Sequence, residues 1–570
     1  MKKQWQILQP DINAVETVRN TLKCNPVTAA ILVNRKIATE KDALNFHNPS
    51  ISNLRPPFSM KDMDIAVSRI YTAITDNEKI LIFGDYDVDG VTATTILYEF
   101  FLHTGADVSY YIPDRISEGY SLKPKHISEY VLPNRINLII TTDCGSGSHE
   151  AVKMAQDAGT DVIITDHHNI SLKPPAIAIV NPKREDCPSG FENLAGVGVA
   201  FYLLICLRKY LRDKGFWQDI AEPNLKNYCD LVALGTVADV VPLINENRIF
   251  SKTGLGIINS GTRPGISALI EASRVNGSSV DTQDIAFRLA PRLNAAGRLD
   301  HANTSVELLT TKDPETAKQI AQSLSRINTR RQNLEKKILE QILKYLKTCT
   351  QMHVQKTLVL SHHEWHEGVL GIVASKLVDL YYRPVVLIGT RNGIGKGSGR
   401  SIPGIDLHQG IMACADDLEH FGGHAMAAGL TIKKENIAKF QKNFENAVSQ
   451  MAAPDSFSHI ISIDYELNFD KITDRLTDEL EFLQPFGEGN PEPLFMAGDV
   501  WVSHSKIVGK NHRQMILRQG SARSGRTVRA IRFNIDKDAP LKERFDQISF
   551  RLRWNRWNNR KTQQIIVEDA

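Results

Sequence analysis

Ile80-Leu81-Ile82-Phe83-Gly84-Asp85-Tyr86-Asp87-Val88-Asp89-Gly90 decides the fold, because it carries a short apolar run straight into a loop with three carboxylates. Two later apolar runs end in the same way. Leu138–Ile140 is followed by Asp143, and Val162–Ile164 is followed by Asp166, His167 and His168. Amphipathic helical stretches separate most of the short apolar runs, which predicts βαβ units and a parallel sheet. The acids then lie just past the carboxyl ends of three strands, the edge where open α/β sheets bind ligands.

Such a convergence of carboxylates indicates a metal site. The acids repel one another and raise each other's pKa unless a cation lies between them. Oxygen ligands favour Mg²⁺ or Mn²⁺, and the imidazoles shift the preference toward Mn²⁺. Two ions about 3.5–4 Å apart can activate a water and stabilise the leaving oxygen of a phosphodiester. The alternative is that each Asp only caps the following helix, which suits a single Asp better than a set on three strands.

A fourth carboxylate is expected from the segment Asn224 to Val241, which we predict as a helix. Asp230 and Asp239 lie nine residues apart, which places them about 180° apart around a helix of ~3.6 residues per turn. We therefore do not expect the two carboxylates to face the same metal. Asp239 lies in an apolar stretch, where burying an unpaired carboxylate would be costly. We expect Asp239 at the metal site and Asp230 in a structural or supporting role.

Composition bounds the class of protein. The 570 residues predict three or four domains. The seven cysteines are scattered and form no CxxC pair, which argues against a disulfide scaffold or a zinc ribbon and fits a reducing cytosol. The N-terminus lacks the apolar region of a signal peptide, and the longest apolar run is shorter than the ~20 residues that span a membrane. We expect a cytoplasmic protein without a membrane partner.

Charge is unevenly distributed along the chain. Residues 501–570 carry 16 Lys and Arg against 6 Asp and Glu, whereas residues 1–500 carry 52 against 59. An acidic body with a basic module fits an enzyme that binds metals in one place and a polyanion in another. The alternative is a solvated basic tail.

The basic module has the pattern of a single-strand binder. Arg551 and Arg553 alternate with apolar residues, and Trp557 follows closely. Cations of this kind track phosphates, and rings stack bases at about 1–3 kcal/mol each, which suits a small OB-like barrel. We expect core packing for Phe550 and Trp554, and DNA contacts for Arg551, Arg553 and Trp557.

A glycine-rich strand is predicted before Arg400. Gly393, Gly395, Gly397 and Gly399 alternate, so one face of the strand would be nearly bare and another backbone could approach it. The Arg400 guanidinium suits a phosphate. A tightly packed turn is the alternative.

In these residues the chain resembles the DHH phosphoesterase family. The resemblance lies in Asp85-Tyr86-Asp87-Val88-Asp89-Gly90, Asp143, Asp166-His167-His168 and Asp239. Pro291-Arg292-Leu293-Asn294-Ala295-Ala296-Gly297-Arg298 resembles a segment particular to the RecJ exonucleases. Three further segments resemble the associated DHHA1 domain: His366-Glu367-Gly368-Val369-Leu370-Gly371, Gly397-Ser398-Gly399-Arg400-Ser401 and Gly422-Gly423-His424.

The resemblance implies a processive 5′-to-3′ exonuclease on single-stranded DNA, acting in repair and recombination with Mn²⁺ or Mg²⁺ and two ions in the active complex. It implies a single-stranded-DNA-binding protein and a repair helicase as partners of a monomer. The implied metal ligands are Asp87, Asp89, Asp143, His167 and Asp239. Asp85, Asp166 and His168 would be catalytic residues, acting as further ligands or as partners of the ligands. Apart from the resemblance, residue type and sequence context predict phosphate or DNA contacts for Arg292, Arg298, His366, Ser398, Arg400 and His424. A lone histidine is more often structural, and His366 lies near His362, His363 and Glu367 in a group that could mimic a zinc site.

One position departs from the family pattern. DHH pyrophosphatases place a histidine four residues before the carboxylate that corresponds to Asp87, and this chain has Phe83 there. One metal site is therefore expected to be weaker or differently filled, which leaves open whether the resting enzyme holds one ion or two.

The expected fold class is α/β: a parallel-sheet DHH domain, a long helix, a smaller α/β DHHA1 domain and a C-terminal OB-like β-barrel. Asp313 and Pro314 predict the start of that helix, which runs to about Lys347. The predicted boundaries are 1–75 for a helical segment, 76–265 for the DHH domain, 266–350 for the connecting segment, 351–452 for the DHHA1 domain and 455–570 for the barrel.

Two other functions stay open at this point. One is a DHH phosphodiesterase that acts on short oligonucleotides or cyclic dinucleotides, which would have no need of the basic module. The other is a replication scaffold that binds single strands without cutting them. The complete set of acids and histidines argues against the scaffold, because such clustered charge without metal would destabilise the fold.

Overall fold

The computed structural model describes residues 4–170, 172–275, 279–349, 355–453, 455–520, 525–535, 542–557 and 560–570, with only the backbone of Trp557. The chain divides into two compact units. The larger unit comprises Trp5–Asn294, Ala302–Ala321 and Ser462–Ala570, and the smaller one Met1–Gln4, Ala295–His301 and Gln322–Ile461. Among the described residues, no helix is both long and apolar enough to cross a membrane.

The helices are, in chain order, α1 Ile12–Leu22, α2 Pro26–Asn34, α3 Glu40–His47, α4 Met63–Thr75, α5 Val88–Thr104, α6 Pro124–His126, α7 His149–Asp157, α8 Gly196–Asp213, α9 Cys229–Ala238, α10 Asn245–Ser260, α11 Pro264–Ala272, α12 Thr282–Asp284, α13 Ala290–Leu299, α14 Asn303–Thr310, α15 Pro314–Thr348, α16 Glu367–Tyr381, α17 Leu407–Met412, α18 Ile437–Met451 and α19 Asp474–Phe482. The strands are β1 Gln4–Ile7, β2 Ile80–Gly84, β3 Val108–Tyr111, β4 Leu138–Thr142, β5 Asp161–Thr165, β6 Ala178–Val180, β7 Leu358–His362, β8 Val385–Arg391, β9 Ile394–Arg400, β10 His420–His424, β11 Ala427–Lys433, β12 Ile460–Ile463, β13 Tyr465–Glu466, β14 Phe495–Val508, β15 His512–Gln519, β16 Thr527–Arg532, β17 Arg544–Trp557 and β18 Arg560–Asp569.

The predicted parallel sheet is present in the larger unit, with strand order β3-β2-β4-β5-β6. Strands β2 and β4 are buried along their whole length, as expected for apolar runs covered on both faces. Gly84 pairs with Thr142, and Thr142 pairs with Thr165. The three strands therefore end level with one another, and the residues that follow them start from the same edge of the sheet.

The C-terminal residues form the predicted barrel. Its strand order is β13-β14-β15-β16-β18-β17, and an additional pairing of β14 with β17 closes it. Ile548, Phe550 and Leu552 are buried in its core, as their alternation with arginines predicts. Trp554 was expected in the core too, but it is only half-buried and its indole N–H donates to Asp478. Strands β14 and β17 are long for a small barrel, with 14 residues each.

The N-terminal helices pack against this barrel. Val18, Ile31 and Phe46 belong to the same apolar cluster as the barrel residues Phe495 and Phe550. The expected helical character of residues 1–75 holds for α1 to α4, but β1 at Gln4–Ile7 was not foreseen. Neither was the shared core, because it joins the two ends of the chain.

The smaller unit contains a sheet of order β10-β11-β9-β8-β7, parallel only between β7 and β8. Its glycine-rich strand β9 is not bare. A Cβ atom on Gly395 would lie 2.7 Å from Ile388 Cγ2, and one on Gly397 would lie 2.7 Å from Leu430 Cδ1. Side chains of the neighbouring strands cover this face, so the glycines serve close packing rather than the approach of a ligand backbone.

The charge of the barrel module also differs from the expectation. The positive stretch 501–570 follows an acidic stretch of the same module, and residues 455–570 together carry 18 Lys and Arg against 17 Asp and Glu. Ion pairs join the two stretches: Arg544 with Asp499, Arg553 with Glu492, Arg556 with Glu481 and Lys561 with Asp478. A strong net positive field is therefore not a property of the folded module.

Candidate metal centre

Two acids that follow β2, Asp87 and Asp89, are held by hydrogen bonds from backbone N–H groups at the starts of helices. Asp87 caps α5, and its Oδ1 accepts hydrogen bonds from the backbone N–H of Asp89 at 2.9 Å and of Gly90 at 3.1 Å. The carboxylate of Asp89 is buried and accepts from the N–H of Gly196 at 2.6 Å and of Val197 at 2.8 Å, at the start of α8. Capping is therefore real for both acids, and it fixes their orientation toward the sheet edge.

Asp143 follows β4 in a left-handed conformation, with a φ of 60°. Its N–H donates to Thr165 O at 3.0 Å, which anchors the turn to the end of the neighbouring strand. Asp tolerates this conformation better than most residues. Space around its carboxylate is tight, because a Cβ atom on Gly196 would lie 2.6 Å from Asp143 Oδ1.

Asp239 reaches the same place by a different route from the one expected. Residues 225–228 form a 3₁₀ turn and α9 ends at Ala238, so Asp239 is the residue that terminates the helix. Asp230 lies within α9 and bonds to Arg263 at 2.7 Å. The structure separates the two acids as predicted, but the continuous helix to Val241 used to separate them is wrong.

Three groups of side chains bring ligand atoms within 4.8 Å of one another. The groups are Asp143, His167 and His168; Asp89, His167 and Asp239; and Asp85, Asp87 and Asp143. All eight predicted metal and catalytic residues except Asp166 belong to one of them. Because Asp143 and His167 are each shared by two groups, the three form one continuous cluster.

His167 is held in the state that a metal ligand needs. Its Nδ1–H donates to Leu194 O at 2.9 Å, so Nε2 carries the lone pair. Nε2 lies 3.1 Å from Asp143 Oδ1, 3.6 Å from Asp239 Oδ2 and 3.8 Å from Asp89 Oδ2. Burial and the charge of His168 lower the pKa of His167 to about 3, which keeps the ring neutral.

Asp166 supports its neighbours through its own hydrogen bonds. Its Oδ1 lies 2.8 Å from His168 Nδ1 and accepts from the N–H of His167, while Oδ2 accepts from the N–H of Ser146 at 2.9 Å. Burial opposes the charge, but these bonds and His168 hold the pKa of Asp166 well below its usual range. Burial lowers the pKa of His168, but Asp166, Asp85 and Asp87 together raise it by more, so it lies above its ordinary value.

Burial and mutual repulsion raise the pKa values of four other acids of the site. Burial and the charge of Asp87 raise the pKa of Asp89 to about 7 and that of Asp85 well above its usual range. The pKa of Asp143 is raised by burial and by Asp89, and that of Asp239 likewise. Carboxylates in this state bind protons or cations readily, because either relieves the repulsion.

The residues fit a divalent cation. Among the described residues, Asp85 Oδ1, Asp143 Oδ1 and His167 Nε2 are buried atoms without a hydrogen-bond partner. Orphaned acceptors of this kind are costly unless a cation takes the place of a donor. The oxygen-rich set with imidazole nitrogens suits Mn²⁺ or Mg²⁺.

Comparison with known proteins agrees with this geometry. Residues 79–236 match the DHH family, N-terminal domain; residues 350–450 match the DHHA1 domain; residues 463–569 match the RecJ OB domain. The single-stranded-DNA-specific exonuclease RecJ of Bacillus subtilis is 35% identical over 100% of this chain and 71% of its own length. The chain belongs to the RecJ family. RecJ of Escherichia coli is 33% identical over 100% of this chain and 99% of its own length.

A solved RecJ structure matches nearly the whole fold. RecJ from Thermus thermophilus in complex with Mn²⁺ superposes with a TM-score of 0.84 at 30% identity, covering 99% of this chain and 79% of that one. The expected fold class is thereby confirmed.

Several residues expected to bind phosphate in this RecJ chain gather at the start of α16, within the smaller unit. Arg298 Nη1 donates to Gly368 O at 3.1 Å, and His366 caps the helix, its Nδ1 accepting from Gly368 N–H at 3.2 Å. Arg400 Nη2 would lie 2.8 Å from a Cβ atom on Gly371, and Ser398 Oγ 2.9 Å from it. The amino end of a helix with two guanidiniums beside it favours an anion. His366 also has a structural use as the cap.

The remaining predicted contacts lie elsewhere. Arg292 is in the larger unit and bonds through Nη1 to Arg288 O, and His424 is an exposed residue at the end of β10. Arg553 and Arg551 both bond to Glu492, so these two cations are partly neutralised. The side chain of Trp557 lies outside the described part of the structure.

Three features of the site escaped sequence reasoning. Tyr120 lies 3.1 Å from Asp143 O and 3.2 Å from His168 Nδ1, and Arg115 stacks on the ring of Tyr86 with 4.8 Å between guanidinium carbon and ring centre. Leu194, the partner of His167, acts through its backbone and has no side-chain signal.

Phe83, the departure from the pyrophosphatase pattern, is buried and stacks on Tyr111, so it contributes no ligand atom.

Proposed function

We propose that this chain is a Mn²⁺- or Mg²⁺-dependent exonuclease that hydrolyses single-stranded DNA from the 5′ end toward the 3′ end. The observation that carries the proposal is His167 Nε2, neutral and buried, within 3.8 Å of three carboxylates. The substrate is supported by the RecJ relatives, which are named single-stranded-DNA-specific exonucleases. The 5′ direction follows from the family resemblance.

Asp87, Asp89, Asp143, His167 and Asp239 would hold the ions, with Asp85 as a further ligand or a partner of the ligands. When bound, the ions supply a water of lowered pKa and stabilise charge on the leaving oxygen. Leu194 fixes the tautomer of His167, and the start of α8 fixes the direction of Asp89. The two ions implied by the resemblance have enough ligands, because the three overlapping groups together offer seven side chains. Phe83 supplies no nitrogen where DHH pyrophosphatases have a histidine.

His168 has a pKa above its ordinary value, held there mainly by Asp166. This shift favours a positive charge beside Asp143, whose Oδ1 lies 3.9 Å from His168 Nδ1. Asp166 holds the ring through Nδ1, and Tyr120 contacts the same nitrogen. We infer that His168 binds a non-bridging oxygen of the scissile phosphate and that Asp166 positions it.

The remaining predictions are part of the same proposal. Arg298, Ser398 and Arg400 at the start of α16 would bind a phosphate of the strand, with Arg292, His366 and His424 as further contacts. The predicted domain boundaries stay predictions. So do a monomeric state in the cytoplasm, a role in DNA repair and recombination, and the supply of DNA by a single-stranded-DNA-binding protein and a helicase.

The deciding experiment is digestion of single strands labelled at either end, with Mn²⁺ present. We expect the 5′ label to be released first as a short product, while the 3′ label stays on long fragments. Earlier release of the 3′ label would contradict the direction. Hydrolysis confined to dinucleotides or cyclic dinucleotides would favour the small-substrate phosphodiesterase, and tight binding without any hydrolysis would favour the scaffold.

A further inference from the structure

A groove of about 600 Å³ lies in the larger unit between the residues that follow α9 and the barrel. Its wall includes Val240, Phe287 and Phe533, which are 65%, 78% and 47% exposed. Single exposed apolar residues are ordinary on protein surfaces. Three that line one groove mark a binding surface.

Val240 is strained as well as exposed. It directly follows Asp239 and has a φ of 60°. A β-branched residue is an outlier in this left-handed region, and glycine or asparagine is usual at the position after a helix. Neither burial nor backbone preference accounts for valine here. Strain of this kind persists at functional sites, where a ligand contact uses the side chain.

Four of the five charged residues that line the groove are paired with one another, and the fifth, Glu488, is acidic. Arg551 and Arg553 bond to Glu492, and Arg551 Nε also bonds to Glu568 Oε1 at 2.8 Å. All four residues line the groove. Because its cations are partly neutralised, the groove offers apolar contact more than attraction for phosphate. A ligand with an uncharged planar part that contacts this surface, and with charged parts that remain in solvent, fits it best.

We propose that Val240, Phe287 and Phe533 form a platform for the nucleobases of the single strand, with the phosphates on the solvent side. The inference rests on the proposed function and deepens it. Aromatic rings accept any base, since every base has a π-face. Because Val240 adjoins Asp239, the base that it contacts belongs to a nucleotide close to the scissile bond. Hydrolysis then depends on the presence of a base, and not only on the sugar–phosphate backbone.

The test uses the full chain with Mn²⁺ and two oligothymidylates that differ by one internal abasic site. We expect the wild-type enzyme to pause at the abasic site. For Phe287→Ala, KM on the intact strand rises by about 5- to 150-fold, the range for loss of one stacked base, and the pause weakens. Phe287→Trp keeps a ring and restores both. Val240→Gly relieves the backbone strain, so its thermal midpoint does not fall, yet its discrimination against the abasic strand decreases.

Phe58→Ala is the matched control, because Phe58 is 42% exposed and does not line the groove. Its KM and its pause remain those of the wild type. Mn²⁺ affinity, measured by calorimetry, stays unchanged in Phe287→Ala. If the wild type digests both strands without a pause and Phe287→Ala keeps the wild-type KM, the platform is refuted while the exonuclease stands. If neither strand is digested, it is the proposed function that fails.

Discussion

The Nδ1–H of His167 donates to the carbonyl oxygen of Leu194, two residues before α8 begins at Gly196. The same helix start donates the N–H groups of Gly196 and Val197 to Asp89. One turn of backbone therefore orients both an imidazole and a carboxylate of the candidate metal centre. Neither interaction involves a side chain of the segment that provides it.

His167 and His168 are expected to fail in different ways when replaced. His167→Gln removes the neutral Nε2 and should weaken Mn²⁺ binding by about tenfold or more. His168→Gln leaves that atom in place, so it should lower kcat with a smaller change in Mn²⁺ affinity. Calorimetric titration of Mn²⁺ and single-turnover hydrolysis separate the two effects. Equal loss of Mn²⁺ affinity in both variants would contradict the division of roles.

The stability of the metal-free protein should fall as pH rises from about 4 to about 7. Folding raises the pKa values of four carboxyls, Asp85, Asp89, Asp143 and Asp239, and that of Asp89 reaches about 7 from an ordinary value of 3.8. Within the site, folding lowers the pKa of one group that titrates in this window, His167, so the four carboxyls outweigh it and the folded protein binds more protons than the unfolded one. The stabilisation by the four carboxyls is therefore lost as pH rises. With Mn²⁺, stabilisation should instead grow with pH, because the ion needs deprotonated ligands. Thermal unfolding in EDTA and in Mn²⁺ across this range is the measurement.

Asp143→Asn should stabilise the metal-free protein while hydrolysis falls to background. The change removes one of the mutually repelling charges, and Asn accepts the left-handed backbone at this position. We expect the thermal midpoint in EDTA at pH 8 to rise by about 2 °C or more, and the Mn²⁺-induced rise to shrink. Single-strand binding, measured by anisotropy, should be retained. Wild-type hydrolysis in this variant would remove Asp143 from the metal site.

Barrel arginines with an ion-pair partner should contribute mainly to stability, and those without one mainly to DNA binding. Arg553→Ala leaves Glu492 buried with one partner fewer, so it should cost about 1–3 kcal/mol of stability. Arg529 is exposed and has no ion pair within the described residues. Arg529→Ala should therefore keep stability but weaken DNA binding and reduce the salt slope by about 1. Unfolding in urea and salt-dependent anisotropy test the contrast. A larger loss of DNA affinity in Arg553→Ala would restore that residue as a direct contact.

Much of the sheet edge was predictable, because it depends on local pattern. Asp143 and Asp166 each follow a buried apolar run, and parallel strands bring such positions together. The position of Asp239 was predicted for an incomplete reason: burial cost pointed to it, but α9 ends at Ala238, three residues before the predicted helix end at Val241, so Asp239 lies just outside the helix. Their roles as ligands remain predictions.

What escaped prediction depends on long-range pairing. The carbonyl of Leu194 has no sequence signal, since every residue carries one. The charge of residues 501–570 overstates the positive charge near Arg553, because the acid that neutralises it, Glu492, lies before this stretch. Glycines of β9 looked bare because the apolar side chains that cover them come from β8 and β11.

The apolar core that Val18 and Phe46 share with Phe495 and Phe550 sets the order in which the chain can fold during synthesis. More than 400 residues separate Phe46 from the barrel, which at ~5–20 residues per second is a delay of about 20–80 s. Throughout that interval the apolar face of the N-terminal helices lacks the barrel residues that cover it in the folded protein. A chain that stops short of the barrel leaves its own beginning exposed, and a chaperone or protease would recognise the unfinished protein there.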